Sequence, residues 1–245
     1  MHSFFTSPDN VNRAEGEAYL FGGDARHIAR SLRMAVGDAI TLCDGSGAEY
    51  ECRLTYIRDE ECRCEIISER VSKSEPPKEI TLYMAYPKSD KLELVIQKSV
   101  ELGVSRVVPF VSERCIKRPK AEKEDKQTER LSRIAEEAAK QCGRAKLPTV
   151  GAPISYRELL SRIRDEECVL FCYEGEGTVS LAEVLRETRS EKISVVVGSE
   201  GGFTEGEARA ACEAGAKAVN LGPRILRCET APIYCLSAIS YEFEL

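Results

Sequence analysis

Histidine and tryptophan are scarce in this chain of 245 residues, which has two histidines and no tryptophan. Its eleven cysteines form no Cys-x-x-Cys pair, and several lie singly in apolar segments. Zinc sites use closely spaced cysteines and histidines, so no metal site is predicted. Reduced, mostly buried thiols are typical of a cytosolic protein.

Long hydrophobic runs are also lacking. No apolar stretch approaches the roughly 20 residues that a membrane helix needs. The first residues, MHSFFTSPDN, carry neither a basic flank nor a cleavage pattern. The composition, 42% hydrophobic and 31% charged, is that of a soluble globular protein. We therefore expect a cytoplasmic protein without a membrane partner.

The chain is acidic overall, but basic residues are concentrated in one segment. The net charge is -6, yet residues 113–146 hold eleven lysines and arginines against seven acidic residues. The segment RCIKRPK, at 114–120, belongs to this region. Such a region is either a solvated loop and helix face or a patch that binds phosphates.

The first 72 residues predict antiparallel β-structure. Alternating segments such as AEYECRLTYI follow turn signals such as Gly-Ser-Gly, and DARHIARSLRM is expected to form a helix. Residues 1–72 therefore predict a small barrel-like β-domain. Residues 73–78, which include Pro76 and Pro77, suit a short semi-rigid linker.

Residues 79–245 alternate between strands and helices. EITLYMAY, SRVVPFVS, CVLFCYE and KISVVVG are predicted strands, and SDKLELVIQKSVELG is an amphipathic helix with Ser89 or Asp90 as its cap. This alternation predicts an α/β domain with a mainly parallel sheet covered on both faces.

The segment ISVVVGSEGGFTEGEA predicts a strand, a glycine loop and a helix. Thr204 and Glu207 form a capping-box pattern, so the helix should begin just after Thr204. The loop lacks both the Gly-Lys-Ser/Thr of a P-loop and the pattern GxGxxG, and Glu200 would repel a pyrophosphate. The glycines leave no Cβ to keep a ligand away. A positively charged ligand such as S-adenosylmethionine fits better; a tight turn without a ligand is the alternative.

A second segment, AVNLGPRILRCETAPIYCLSAI, repeats the order of strand, loop and helix, and Thr230 can cap that helix. Ligands of open α/β sheets bind beyond the carboxyl ends of the strands, so two such loops could enclose one adenosine. Alternatively, Arg224 and Glu229 form only an ion pair that holds the loop.

Together, GSEGGFTEGE and LGPRILRCETA closely resemble the signature loops of the RsmE family, the SPOUT-class methyltransferases of small-subunit ribosomal RNA. The resemblance continues through KSDKLELVIQKSVELGVSRVVPFVSERC, ERLSRIAEEAAKQCGR and HIARSLRMAVGD, and covers nearly the whole chain. Three positions depart from the family pattern. Ser199 replaces a proline, Cys228 replaces a threonine, and His2 stands near a position where an arginine is common.

The resemblance implies an enzyme that methylates N3 of a uridine in 16S rRNA, with S-adenosylmethionine as methyl donor. It implies a PUA-like RNA-binding β-barrel at residues 1–72 and a SPOUT methyltransferase domain with a deep trefoil knot at residues 79–245. It also implies a homodimer whose partner is 16S rRNA or the assembled small subunit. Because N3 lies on the pairing edge, the target should be single-stranded or flipped out.

The resemblance assigns residues to three roles. The implied donor-binding residues are Gly198, Ser199, Glu200, Gly201, Gly202, Leu221, Gly222, Ile225, Leu226, Arg227, Glu229, Thr230 and Ala231. The implied RNA contacts are Arg30, Arg33, Arg114, Lys117, Arg118, Lys120 and Arg144. The catalytic candidates are Arg114, Glu200 and Arg227. We hypothesise that an arginine of the RCIKRPK or QCGR segment, or Arg227, stabilises the uracil anion, and that Glu200 or solvent accepts the N3 proton.

Two other functions fit parts of the sequence. One is a non-catalytic RNA-binding protein with a degenerate donor pocket, which the intact loop motifs disfavour. The other is a nicotinamide-dependent oxidoreductase, which the absence of GxGxxG disfavours.

Overall fold

A computed structural model describes residues 2–88, 90–119, 122 and 124–245. The chain divides into two compact units, residues 1–75 with 139–147, and residues 76–138 with 148–245. The division near the linker falls between Glu75 and Pro76. Residues 139–147, which lie within the range of the predicted second domain, group with the first unit.

The first unit is built on one sheet. Its strands in the described residues are β1 (His2–Phe5), β2 (Val11–Asn12), β3 (Glu17–Phe21), β4 (Ala39–Cys43), β5 (Ala48–Ile57) and β6 (Glu61–Val71). They lie in the order β1-β4-β5-β6-β3-β2. The pair β1 and β4 is parallel, and the other neighbours are antiparallel. The alternation pattern does not predict β1, which is short and lies at the chain start.

The core of this unit follows the alternation of its strands. On β5, Tyr50, Cys52 and Leu54 are buried, whereas Glu51 and Arg53 are exposed. Successive strand side chains point to opposite faces, so one face of β5 packs into the core and the other meets solvent. The predicted β-structure of this region is confirmed, and the closure of its sheet into a barrel stays a prediction.

The helix expected at DARHIARSLRM is present but irregular. It consists of α1 (Gly22–Arg26) and a π-helical turn at His27–Ser31. Ala25 and Ile28 are buried, and the arginines of the segment are exposed. Arg33 has φ 50, a left-handed conformation that does not continue a helix.

Hydrogen bonds to Glu75 explain why residues 139–147 belong to the first unit. The carboxylate of Glu75 accepts hydrogen bonds from the backbone N–H groups of Ala145 and Lys146, each at 2.9 Å. It also pairs with Arg144 at 2.8 Å. Burial opposes the charge of Glu75, but these donors outweigh it and lower the pKa of the carboxyl group. Sequence periodicity does not register contacts of this kind.

The second unit alternates strands and helices, as predicted. Its strands are β7 (Glu79–Ala85), β8 (Arg106–Val111), β9 (Thr149–Val150), β10 (Ile154–Ser155), β11 (Val169–Cys172), β12 (Val179–Ser180), β13 (Lys192–Val197) and β14 (Lys217–Asn220). The helices from α2 onward are α2 (Lys91–Glu101), α3 (Glu124–Cys142), α4 (Tyr156–Ile163), α5 (Leu181–Glu187), α6 (Glu205–Glu213) and α7 (Thr230–Glu244). Residues 139–142, the last residues of α3, group with the first unit.

The sheet of the second unit is parallel throughout its described ladders. Its strand order is β10-β8-β7-β13-β11-β14-β12, with β9 paired to β8. Every pair runs parallel. The α/β class and the parallel sheet are therefore confirmed, and the trefoil knot stays a prediction. Of the two proposed caps of α2, Asp90 stands at the N-cap without a side-chain hydrogen bond, and Ser89 lies outside the described residues.

Parallel strands bring their carboxyl ends to one edge of the sheet. The loops that follow β8, β11, β13 and β14 therefore lie at the same edge, where ligands of open α/β sheets bind. In the sheet, β11 lies between β13 and β14. The two loops singled out in the sequence thus flank the loop that follows β11.

Candidate functional site

A cavity of about 450 Å³ lies at this edge. Its volume is in the range of small-molecule sites. Ten of the thirteen implied donor-binding residues line it: Gly198, Ser199, Glu200, Gly202, Leu221, Gly222, Ile225, Leu226, Arg227 and Ala231. Gly201, Glu229 and Thr230 are not among its lining residues. The loops after β13 and β14 therefore enclose one cavity.

The cavity also has walls that the sequence analysis did not assign to it. They include Lys91 and the segment 172–174, which follows β11. Val197, Phe203, Asn220, Pro223, Arg224 and Cys228 complete the lining. Several of these residues directly neighbour the motif residues in the chain. For 172–174, the available signal was the predicted strand CVLFCYE, because the loop after a parallel strand lies at the edge where ligands bind.

The glycine loop is a tight turn ahead of α6. The N–H of Gly202 donates to the carbonyl of Ser199 at 2.9 Å, and Gly202 has φ 63. A residue with a Cβ is strained in this left-handed conformation. Thr204 caps α6, and its capping box with Glu207 is formed as predicted.

Gly201 faces protein rather than the cavity. A Cβ built on Gly201 would lie 2.9 Å from the Cβ of Arg114 and 3.3 Å from its carbonyl oxygen. Arg114 Nη1 donates to the carbonyl of Gly201 at 3.0 Å, and Ser199 Oγ donates to the carbonyl of Arg114 at 3.4 Å. The glycine at 201 therefore permits close packing of the loop after β8. Ser199, the departure from proline, supplies one of these hydrogen bonds.

Lys91, at the start of α2, joins the two loops. Its Nζ lies 3.2 Å from Glu200 and 3.0 Å from Glu229. The hydrogen bond with Glu229 raises the pKa of Lys91. Glu229 thus pairs with Lys91, and the alternative pair with Arg224 is not formed among the described ion pairs. This arrangement fixes the distance between the loops at the cavity.

Glu200 is held as a charged group. Its carboxylate accepts a hydrogen bond from the backbone N–H of Lys88 at 3.1 Å in addition to the ion pair with Lys91. Burial opposes the charge, but backbone hydrogen bonds and Lys91 outweigh it and lower the pKa of Glu200. A lowered pKa makes a weak general base. The geometry therefore disfavours Glu200 as the proton acceptor.

Cys228 replaces the usual threonine and still acts as a hydrogen-bond donor. Its buried thiol donates to Glu229 at 3.2 Å. Burial raises the pKa of Cys228 to about 12, so the thiol keeps its proton at neutral pH.

Glu229 is the N-cap residue of α7, which begins at Thr230. The helix therefore begins one residue earlier than it would if Thr230 were the cap.

The implied RNA contacts lie in three different environments. Arg114, Lys117 and Arg118 are exposed after β8, at the edge that bears the cavity. In the first unit, Arg33 is exposed, and Arg30 is exposed and paired with Asp59. Lys120 lies outside the described residues.

Arg144 does not present its charge to solvent. Its residue surface is 3% exposed, and its guanidinium pairs with Glu75. In this conformation the ion pair leaves little of the side chain accessible to a phosphate, and the implied role of Arg144 as an RNA contact stays a prediction. The family-based assignment could not anticipate this, since Glu75 lies 69 residues away in the chain.

The described residues show neither a metal cluster nor a membrane-spanning helix. No group of three or more histidine, cysteine, aspartate or glutamate side chains among them is placed to hold a metal ion. None of their helices combines the length and apolar character that crossing a membrane requires.

Comparisons with known proteins agree with the two-loop site. A family model described as an RNA methyltransferase domain matches residues 74–240, and one described as an RNA methyltransferase PUA domain matches residues 22–68. Ribosomal RNA small subunit methyltransferase E of Bacillus subtilis is 37% identical over 231 residues, which cover 92% of this chain and 90% of that protein.

Solved structures of methyltransferases are also similar to this chain along nearly its whole length. The small subunit methyltransferase E of Neisseria gonorrhoeae, bound to S-adenosyl methionine, has a TM-score of 0.86 and 35% identity, with 98% of this chain and 97% of that chain covered. A methyltransferase of Legionella pneumophila in complex with SAM has a TM-score of 0.84 and 27% identity, with 98% and 96% covered. From its site geometry and these matches along nearly its whole length, the chain belongs to the ribosomal RNA small subunit methyltransferase E family, with a PUA-like amino-terminal domain.

Proposed function

We propose that this protein transfers the methyl group of S-adenosylmethionine to N3 of a uridine in 16S rRNA. The observation that carries the proposal is the cavity between the loops after β13 and β14. The proposal is supported by the names of the relatives and by the S-adenosylmethionine bound in the Neisseria structure. Action on ribosomal RNA would place the protein in the cytoplasm.

Methyl transfer to uridine requires the loss of the N3 proton. The new bond joins N3 to the methyl carbon, the bond from that carbon to sulfur breaks, and the uracil carries negative charge as the proton leaves. Of the two candidate arginines, Arg114 and Arg227, Arg227 is the one that lines the cavity, and in this proposal it stabilises this charge. Arg114 positions the glycine loop through Gly201. Because Glu200 is committed to Lys91, solvent is the proton acceptor in this proposal.

Exposed basic residues supply the proposed RNA surface. Arg114, Lys117 and Arg118 follow β8 at the edge that carries the cavity, and Arg30 and Arg33 lie on the amino-terminal unit. Phosphate contacts by such side chains position an RNA without reading its sequence. The first unit, residues 1–75 with 139–147, would thus hold the RNA while the second unit methylates it.

The proposed homodimer uses α7. Tyr234 and Tyr241 on this helix are 45% and 72% exposed, and seven residues correspond to about two helical turns. Both line a second cavity of about 460 Å³, whose walls include Leu221 and Gly222 of the donor cavity. A second copy of the chain on this face would cover exposed aromatic surface beside the donor loop.

Transfer of labelled methyl groups tests the proposal. Purified protein with methyl-labelled S-adenosylmethionine should label 16S rRNA or small subunits, and reverse transcription should stop at the modified uridine because an N3 methyl group blocks base pairing. Reactions without donor give the background. Binding of RNA without any labelling would instead support the non-catalytic alternative, and labelling at another atom would refute the N3 assignment.

A further inference from the structure

The carboxylates at the donor cavity differ in their partners. Glu200, which lines the cavity, pairs with Lys91. Glu174 also lines the cavity, yet it has no ion-pair or hydrogen-bond partner among the described residues. The structure therefore leaves one carboxylate of the cavity wall available for a ligand.

Glu174 occupies a central position in the site. It follows β11, which lies between β13 and β14 in the sheet, so it lies between the two donor loops. Its Oε1 would lie 3.3 Å from a Cβ built on Gly202, which shows how closely the carboxylate approaches the glycine loop. Glycine at 202 thus meets two demands at once, a left-handed φ and the close approach of Glu174.

Gly175 and Tyr173, the neighbours of Glu174, hold this segment in its conformation. A Cβ on Gly175 would lie 2.3 Å from Cε1 of the Tyr173 ring, so the chain folds back over that ring and a larger residue at 175 would displace it. Tyr173 itself lines the cavity and packs against Phe171, with ring centroids 6.2 Å apart. Packing of the Tyr173 ring therefore helps to fix the backbone position of Glu174.

The charge of the donor matches this arrangement. S-adenosylmethionine carries a sulfonium and an ammonium group against one carboxylate. A carboxylate without a cationic partner, in a concave site, attracts positive charge and forms the stronger charge-assisted contacts. We infer that Glu174 recognises the positive charge of the methyl donor and gives the cavity its preference for the charged donor over a neutral nucleoside. This inference rests on the proposed use of S-adenosylmethionine.

Calorimetry with three ligands tests the inference. The ligands are S-adenosylmethionine, S-adenosylhomocysteine, which lacks the sulfonium charge, and adenosine, which lacks both cations. In Glu174→Gln the affinity for S-adenosylmethionine should fall about fivefold, an effect kept moderate by solvent exposure, while the affinity for adenosine stays unchanged. A fall for S-adenosylmethionine alone assigns the contact to the sulfonium, and an equal fall for S-adenosylhomocysteine assigns it to the ammonium. Either result supports the inference.

The matched control is Glu176→Gln, which removes an exposed carboxylate two residues further on that does not line the cavity. It should leave all three affinities unchanged. An equal loss for all three ligands in Glu174→Gln would mean a contact with the ribose hydroxyls, and no loss would mean a solvated side chain; both overturn the inference. Failure of the wild-type protein to bind S-adenosylmethionine would instead refute the proposed donor.

Discussion

Lys91 shows how one side chain can hold two distant loops. Without its ammonium group, the carboxylates of Glu200 and Glu229 would repel each other. We predict that Lys91→Met weakens binding of S-adenosylmethionine roughly tenfold by loosening both loops. Lys91→Arg, which keeps the charge, should recover most of the affinity. Calorimetric affinities of both variants check the prediction, and equal losses in Met and Arg variants would show that the charge is not what matters.

Gly201 acts on donor binding through Arg114. A methyl group at 201 would lie 2.9 Å from Arg114 Cβ, closer than side chains tolerate, so the glycine loop or the loop after β8 must move. We predict that Gly201→Ala weakens donor binding severalfold and that Gly201→Val weakens it further, both with retained folding.

Gly206 provides the matched control for this pair. A Cβ there meets only Thr204 Oγ1 at 3.9 Å, and alanine is favoured in helices. Gly206→Ala should therefore leave the affinity unchanged. If Gly201→Ala binds the donor as tightly as Gly206→Ala, the contact with Arg114 does not shape the site.

At the scale of elements, the end of α3 depends on the buried pair of Arg144 and Glu75. The side chains are 4% and 11% exposed. Removing one partner of a buried pair leaves an uncompensated charge, so Arg144→Met should destabilise the first unit by about 3 kcal/mol at pH 7. Urea unfolding of the wild type and of Arg144→Met measures the difference in the free energy of unfolding.

The same pair predicts a dependence on pH. The folded-state pKa of Glu75 is lowered, so its contribution to stability is present above its usual pKa and is lost as pH falls through the folded value. The gap between wild type and Arg144→Met should therefore shrink below about pH 4. A gap that stays constant from pH 7 to pH 3 would contradict the pairing.

The exposed face of α7 is the proposed dimer interface, and a single charge placed there tests it. Tyr241→Lys places a charge on a surface that the proposed dimer covers, so it should shift the protein from dimer to monomer in sedimentation equilibrium. Val36→Lys, at a residue 64% exposed in the other unit, is the control and should leave the dimer intact. A persistent Tyr241→Lys dimer would exclude this face as the interface.

For the whole molecule, binding of RNA should depend on salt through the exposed basic residues. Arg118→Ala removes one possible phosphate contact, so it should weaken RNA binding and lower the salt slope by about one ion. Binding of the methyl donor should be unchanged. Arg209→Ala on α6, also exposed, is the control. Equal slopes in Arg118→Ala and wild type would make the segment after β8 a solvated face.

The sequence alone determined what depends on near neighbours in the chain. Alternation predicts β5, and the capping box of Thr204 and Glu207 predicts the start of α6, because both patterns arise from contacts within a few residues. The two loop motifs predict most of the cavity wall for a similar reason. Each motif follows a buried parallel strand, and such strands end at one edge.

Only the tertiary structure decided which charges meet. Lys91 joins Glu200 to Glu229, and Arg144 is enclosed with Glu75, although nothing in the local sequence distinguishes these residues from solvated charges. The pairs form because strand order and the return of the chain after α3 bring distant segments together. Once solvent is excluded, an opposite charge is the partner that offsets the cost of burial. The same packing leaves Glu174 without a cation and turns Gly201 toward Arg114, so the roles of these residues follow from the fold.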